Sequence, residues 1–151
     1  GASVDYDWVA HRVKATFDKL NVIKIGFDRW NWRHFMPALK RAGFNDSQVE
    51  GDQAVFEPFG QGFQSMSPAL RDLETDILAE RIAHGGDPVL NMCMANAIVT
   101  TDPAGNRKLN KQKASGRIDG AVALAMAKGV AGAWQDNHKP SVYLDRGALV
   151  I

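Results

Sequence analysis

The chain has 151 residues, of which 45% are hydrophobic and 23% charged, and its 18 basic side chains nearly balance 17 acidic ones. This length suits one domain with a real core and excludes a multidomain enzyme, while the balanced charge indicates no particular partner. The single cysteine, Cys93, cannot form an internal disulfide, which favours a reducing compartment. No stretch approaches the roughly 20 apolar residues of a membrane helix. The opening residues 1–3 are typical of a cleaved expression tag on an excised segment.

The first third of the chain predicts a helix, a strand and a second helix. Apolar side chains in residues 6–20 recur at spacings of four and three, the period of one helical face. The β-branched run at residues 22–28 predicts a strand that ends at an acid, Asp28. A second helix is predicted over residues 32–42, with Gly43 in a left-handed conformation after it.

The middle of the chain predicts a polar turn, an extended segment and a third helix. Residues 45–53 are turn-like, and residues 54–59 favour a strand at a sheet edge. Ser67 followed by Pro68 is typical of a cap and a first helical position, and the apolar stripe continues to Ile82.

The last third predicts a hairpin and an alanine-rich helix. Segments 98–101 and 107–110 flank a turn, and residues 118–130 are helical with small side chains that allow close approach to a sheet. The alternation of helices and strands indicates an α/β domain. Two strands and one hairpin are few for a parallel sheet, so either the hairpin joins that sheet or strands upstream of residue 1 belong to it.

Several common chemistries lack their motifs. The sequence has no phosphate-cradling G-x-x-x-x-G-K-[ST] loop and no nucleophile elbow. Its four histidines are far apart and have no partner at zinc-ligand spacing. The lone G-x-G of Gly60, Gln61 and Gly62 is by itself most simply a tight turn.

Two carboxylates remain as candidate ligands. Asp28 ends the best strand, where side chains emerge at the carboxyl edge of a sheet, and Asp119 falls near the start of the last helix. Close together, they could hold Mg²⁺ or Mn²⁺, which take oxygen ligands. The alternatives are an ion pair of Asp28 with Arg29 and a dipole-complementing role for Asp119.

A run of basic residues precedes Asp119 and contains no acid. Its charge suits a phosphate backbone, and the alternative is a solvated surface loop. Its members are Arg107, Lys108, Lys111, Lys113 and Arg117.

Five sequence blocks occur in an order that resembles the carboxyl-terminal nuclease domain of large terminase subunits from tailed bacteriophages and prophages. The resemblance covers about residues 4–130. The blocks are I-G-F-D-R-W at 25–30, P-F-G-Q-G-F with M-S-P-A at 58–69, H-G-G-D-P-V-L at 84–90, T-D-P-A-G-N at 101–106 and R-I-D-G at 117–120.

The resemblance implies a ribonuclease H-like nuclease fold, here without its opening strand or strands. It makes Asp28 and Asp119 ligands for two Mg²⁺ or Mn²⁺ ions that hydrolyse a phosphodiester, and it places a further aspartate upstream of this chain. The Gly60 to Gly62 loop then becomes a candidate for shaping the site. We assign residues 1–134 to a partial nuclease domain and residues 135–151 to a tail.

The resemblance also implies a biological role. The substrate is concatemeric double-stranded viral DNA, cut for packaging in the cytoplasm of a bacterial host. The implied partners are the terminase ATPase domain, the small terminase subunit and the portal, with no membrane. Because one ligand is absent from the chain, we expect it to be weakly active or inactive alone, and exposed sheet edges favour self-association.

Two other readings stay open. The chain could be a non-catalytic DNA-binding or assembly fragment, or an inactive prophage remnant, of the same machinery. The second is an unrelated α/β enzyme that acts on a small molecule. The four tryptophans are predicted to be core or interface anchors rather than base-stacking platforms. They are Trp8, Trp30, Trp32 and Trp134.

Overall fold

The computed structural model describes residues 4–51 and 53–138, in which helices alternate with short strands. The predicted tag residues 1–3, and residues 139–151 of the predicted tail, lie outside the described residues. The mixed helix and strand composition predicted from the sequence is confirmed. The elements in chain order are α1 (Tyr6–Lys19), β1 (Ile25–Phe27), α2 (Trp32–Arg41), α3 (Asp46–Val49), β2 (Phe56–Pro58), α4 (Phe63–Leu78), α5 (Pro88–Asn96), β3 (Val99–Thr101), β4 (Arg107–Leu109) and α6 (Asp119–Asn137).

Strands β1 and β2 pair in parallel, with α2 and α3 in the connection between them. Ile25 lies opposite Phe56 and Phe27 opposite Pro58. The amide of Ile25 donates to the carbonyl of Val55 at 2.8 Å. Because the strands are parallel, the loops that follow them emerge at the same edge of the sheet. This edge carries the segments after residues 27 and 58.

Strands β3 and β4 form the predicted antiparallel hairpin. Asp102 closes its turn, since Oδ1 accepts hydrogen bonds from the amides of Ala104 and Asn106 at 3.0 and 2.8 Å. Gly105 takes the left-handed backbone conformation that the turn requires, with φ of +83°. In the described part of the chain the hairpin is a sheet of its own and does not join β1 and β2.

Two apolar clusters form the interior. The first packs α1, α2 and α3 around β2, with Leu39 and Phe56 among its buried members. The second lies between α4 and α6, with Met66 and Val122 buried. Helix α6 approaches β1 closely, and Gly26 of β1 permits this because a Cβ there would stand 2.9 Å from a methyl group of Val130 on α6.

The structure corrects several predicted boundaries. The turn-like segment contains a short helix, α3, which begins with a capping box: Asn45 Oδ1 accepts from the Gln48 amide at 2.8 Å, and Gln48 Oε1 accepts from the Asn45 amide at 3.0 Å. Helix α4 begins at Phe63, so Pro68 lies inside it rather than at its first position. It ends at Leu78 rather than at Ile82, shortly before Glu80, whose φ is +54°.

Two further helical segments differ from expectation. Residues after the glycine turn at 85 and 86 form α5, and Asp87 caps it by accepting from the Leu90 amide at 2.8 Å. Helix α6 continues past Val130 to Asn137. None of the helices in residues 4–51 and 53–138 has both the length and the apolar run needed to cross a membrane.

Candidate active site

Asp28 is exposed and directly follows β1, as the sequence predicts. Its Oδ1 accepts a hydrogen bond from the amide of Trp30 at 3.0 Å, and its Oδ2 accepts one from the side-chain amide of Gln61 at 2.6 Å. Within the described residues it forms no ion pair with Arg29. The carboxylate is therefore oriented by two neutral donors, and its negative charge is not neutralised by a neighbouring side chain.

The Gly60 to Gly62 loop supplies the second of these donors. The loop follows β2 and leads into α4, for which Gly62 is the N-cap. Since β1 and β2 are parallel, Gln61 and Asp28 emerge at the same edge, which brings the amide to the carboxylate. The loop thus contacts the predicted ligand directly, in addition to making the turn.

Asp119 is the first residue of α6. Its side chain is 64% exposed and forms an ion pair with Lys111, with Nζ 3.3 Å from Oδ1. The preceding Ile118 is 2% exposed and anchors this end of the helix in the second apolar cluster. An acid in the first helical turn also complements the helix dipole.

The elements that carry the two acids pack against each other. Gly26 of β1 lies against Val130 and the carbonyl of Met126 on α6. Asp28 comes two residues after Gly26, and Asp119 comes seven residues, or about 10 Å of helix, before Met126. The two carboxylates line separate depressions, of about 280 Å³ beside Asp28 and about 390 Å³ beside Asp119.

Three of the five residues in the predicted basic cluster have partners within the fold. Arg107 pairs with Glu74 at 2.8 Å, Lys108 Nζ stands 4.6 Å from the centroid of the Phe63 ring, and Lys111 pairs with Asp119. Across residues 4–51 and 53–138, the exposed side chains of Lys113 and Arg117 have no such partner. These two are the members most available to an external phosphate.

The donor chemistry fits a hard divalent cation in part. Both candidate acids are exposed carboxylates, which is the oxygen-donor type that Mg²⁺ and Mn²⁺ take. The described residues contain no cluster of three or more His, Cys, Asp or Glu side chains able to hold a metal ion. The acids present would therefore fill only part of such a coordination sphere.

Three features of the site escaped the sequence reasoning. The Gln61 to Asp28 hydrogen bond and the Lys111 to Asp119 ion pair both join residues from different elements. Asp28 and Gln61 each follow a predicted strand, and a parallel pairing of those strands would have indicated the first contact. The third is Trp30, predicted to be a core or interface anchor; at 81% exposure, beside Asp28, it is not part of the core.

Together, the fold and the site define a mixed α/β domain with carboxylates suited to cation binding. The family model for the terminase large subunit, endonuclease domain, matches residues 1–134, and the chain belongs to this family. The resemblance read from the sequence is thereby confirmed.

Individual relatives agree with the family. The chain is 44% identical over 131 residues to the terminase large subunit of Enterobacteria phage HK97, and 32% identical over 131 residues to protein YmfN of Escherichia coli strain K12. These matches cover 87% and 85% of this chain, but 24% and 27% of the relatives. The crystal structure of the HK97 bacteriophage large terminase matches with a TM-score of 0.76 at 42% identity, over 86% of this chain and 26% of that one. The chain thus spans about a quarter of the length of these relatives.

Proposed function

We propose that this chain is part of a metal-dependent DNA endonuclease that cuts concatemeric viral DNA during phage packaging, with Asp28 and Asp119 as metal ligands. The observation that carries the proposal is the Asp28 carboxylate, held at the carboxyl edge of a parallel strand pair by Trp30 and Gln61. Membership of the terminase endonuclease-domain family supports the reaction class. The proposed setting is the bacterial host cytoplasm, with double-stranded DNA as substrate and the terminase ATPase domain, small subunit and portal as partners.

The proposed fold is ribonuclease H-like, with a further strand beside β1 on the edge that no described strand occupies. Ile25 and Phe27 direct their backbone groups toward β2, so Gly26 directs its own toward the opposite edge. Apolar depressions of about 570 and 350 Å³ lie beside this strand, one against α6 and one against α1, and both include Val22 and Ile25. A strand added there could bring the additional carboxylate that the family resemblance implies.

Each residue of the site has a defined part in this proposal. A bound Mg²⁺ or Mn²⁺ pair would activate water and stabilise the leaving oxygen of a phosphodiester. Asp28 offers carboxylate oxygens whose orientation is fixed by Gln61, and Asp119 offers a second carboxylate. Lys111 neutralises Asp119 while no cation is bound there. Lys113 and Arg117 are exposed cations that can hold phosphates near Asp119.

The test combines Mn²⁺ binding by calorimetry with nicking of supercoiled plasmid. We expect weak Mn²⁺ binding and little nicking by this chain, with both lost in Asp28→Asn and in Asp119→Asn. Asp18→Asn is the control, because Asp18 is an exposed acid on α1 paired with Lys14. Unchanged Mn²⁺ binding in both site variants would show that neither acid is a metal ligand. Strong nicking that depends on Asp28 would show instead that no further carboxylate is required.

A non-catalytic DNA-binding or assembly role is the second candidate. It is favoured by the lack of a three-ligand cluster among the residues that the structure describes. This role predicts duplex binding without any Mn²⁺-dependent nicking and without an effect of Asp28→Asn. The nicking and binding assays together therefore distinguish the two candidates.

A further inference from the structure

Trp30 is displayed on the surface by a constrained loop. Trp30 is 81% exposed, while Trp32, two residues later, stacks on Phe27 with ring centroids 3.8 Å apart. The Trp30 amide donates to Asp28 Oδ1, and the Trp32 amide donates to the Arg29 carbonyl at 3.2 Å. These bonds fix the backbone on both sides of Trp30. A large aromatic side chain in this position is available to a partner.

Two arginines lie close to this indole in sequence, and neither is paired with an acid among the described residues. Arg29 and Arg33 are exposed, and neither forms an ion pair within the described residues. Arg33 Nε only donates to the imidazole of His34, at 3.3 Å. In the predicted basic cluster, by contrast, Arg107 and Lys111 are both paired with acids.

The acids at the start of α1 do not neutralise these arginines. The depression at Trp30 is bordered by residues at the start of α1, where Asp5 and Asp7 also lie. Asp5 accepts from the Trp8 amide at 3.0 Å, and Asp7 pairs with Arg41 at 2.7 Å. Asp28 itself is bonded to neutral donors. The segment that follows the candidate ligand thus carries an exposed indole and two exposed arginines that form no ion pair among the described residues.

We propose that Arg29, Trp30 and Arg33 form a DNA-contact surface that holds duplex DNA against Asp28. This inference rests on the proposed nuclease function and names residues that position its substrate. Guanidinium groups bind phosphates in a forked geometry, and an indole packs against a deoxyribose of the duplex backbone without reading sequence. Trp30 is then a positioning residue for the scissile strand, whereas the sequence predicted a core or interface anchor.

The test measures binding of a fluorescently labelled duplex by anisotropy, in EDTA and over a series of NaCl concentrations. Trp30→Ala should weaken binding about tenfold with no change in the salt slope, because it removes apolar contact area with the sugar and no charge. Trp30→Phe should keep most of the affinity. The double variant Arg29→Ala with Arg33→Ala should reduce the slope of log K against log salt by about 1.8, which corresponds to two lost phosphate contacts.

Matched controls lie on α1. Trp8 is also an exposed tryptophan, 64% accessible, and Arg12 is an exposed arginine without an ion pair in the described part of the chain. Trp8→Ala and Arg12→Ala should leave affinity and slope unchanged. Equal affinity and slope in Trp30→Ala, in the double variant and in wild type would overturn the proposal. Because EDTA chelates any metal, the binding assay tests DNA contact without the proposed metal site. A failure of Asp28→Asn to affect nicking would instead bear on the proposed function alone.

Discussion

The side-chain amide of Gln61 donates a 2.6 Å hydrogen bond to Oδ2 of Asp28, across 33 positions of sequence. This bond joins the loops that follow two parallel strands and fixes the orientation of a carboxylate that is otherwise exposed. A hydrogen-bonded partner of a metal ligand holds that ligand in its binding geometry. We therefore expect Gln61 to support cation binding by Asp28, the proposed ligand.

Gln61→Ala should weaken Mn²⁺ binding by about 10-fold or more, the usual effect of losing such a supporting contact. Thermal stability should hardly change, because the bond lies at the surface. Calorimetric titration with Mn²⁺ and a melting curve measure the two effects. Gln64→Ala, at an exposed position on the first turn of α4, is the control and should bind Mn²⁺ as wild type does. Equal affinity in the two variants would mean that Gln61 does not support the ligand.

The close approach of α6 to its neighbours predicts opposite effects at two glycines of the same helix. A Cβ at Gly129 would overlap the ring of Phe59 and stand 3.0 Å from Cβ of Ala69, whereas one at Gly132 would meet only Asp72 Oδ2 at 3.9 Å. Gly129→Ala should destabilise the fold by about 1–3 kcal/mol through overpacking. Gly132→Ala should stabilise it by up to about 1 kcal/mol through helix propensity.

Urea denaturation of both glycine variants checks this pair of predictions. The midpoint should fall for Gly129→Ala and rise for Gly132→Ala. If both midpoints rose, helix propensity alone would decide the outcome. The close contact between α6 and the residues after β2 would then not determine stability.

The half-buried Asp76 predicts a loss of stability in acid. Hydrogen bonding from Lys128, followed by that from Arg81, lowers the pKa of the Asp76 carboxyl below its ordinary value. A carboxyl whose pKa is lowered by folding contributes stability that is fully present above its unfolded pKa and is lost as the pH falls through the folded pKa. Stability should therefore decline below about pH 4.

Asp76→Asn separates this contribution from that of other acids. At pH 7 the variant should melt at a lower temperature than wild type, because Lys128 and Arg81 lose their anionic partner. The two melting temperatures should converge as the pH falls through the lowered pKa of folded Asp76, where that carboxyl itself becomes protonated. Scanning calorimetry across this range measures the difference, and a gap that stayed constant down to low pH would contradict the assignment.

Local signals in the sequence were sufficient for part of the fold. Gly43, for example, ends α2 with a φ of +103°, and the hairpin turn forms around Asp102 as its residues indicate. The predicted start of α4 at Pro68 was wrong. A proline fits the first helical position best, but this helix accommodates it five residues further in. The capping box of α3 was overlooked within a polar run, although Asn45 and Gln48 have the required spacing.

Less of the site than of the fold could be predicted from the sequence, for a physical reason. Asp28 and Asp119 could be singled out because each sits at the end of an element, and both remain exposed as such positions favour. Their partners come from other elements, so Gln61 and Lys111 could be matched to them only through tertiary pairing. The charge run from Arg107 to Arg117 contains no acid in sequence, yet Glu74 and Asp119 reach it in the fold.

The ion pair between Lys111 and Asp119 gives the last prediction. The two side chains are 51% and 64% exposed, so the pair should contribute less than about 1 kcal/mol to stability. Lys111 also competes with any cation that approaches Asp119. Lys111→Ala should therefore leave the melting temperature nearly unchanged and strengthen Mn²⁺ binding a few-fold.

Lys113→Ala is the matched comparison for this change. It removes the same charge from the same segment, but Lys113 forms no ion pair in residues 4–51 and 53–138. Lys113→Ala should thus affect Mn²⁺ binding less than Lys111→Ala does. Losing the Lys113 charge should instead reduce the slope of log K against log salt for duplex binding. Mn²⁺ affinities that rise equally in both variants would indicate a general effect of net charge. A rise confined to Lys111→Ala would tie the change to the contact with Asp119, because only that variant frees the carboxylate.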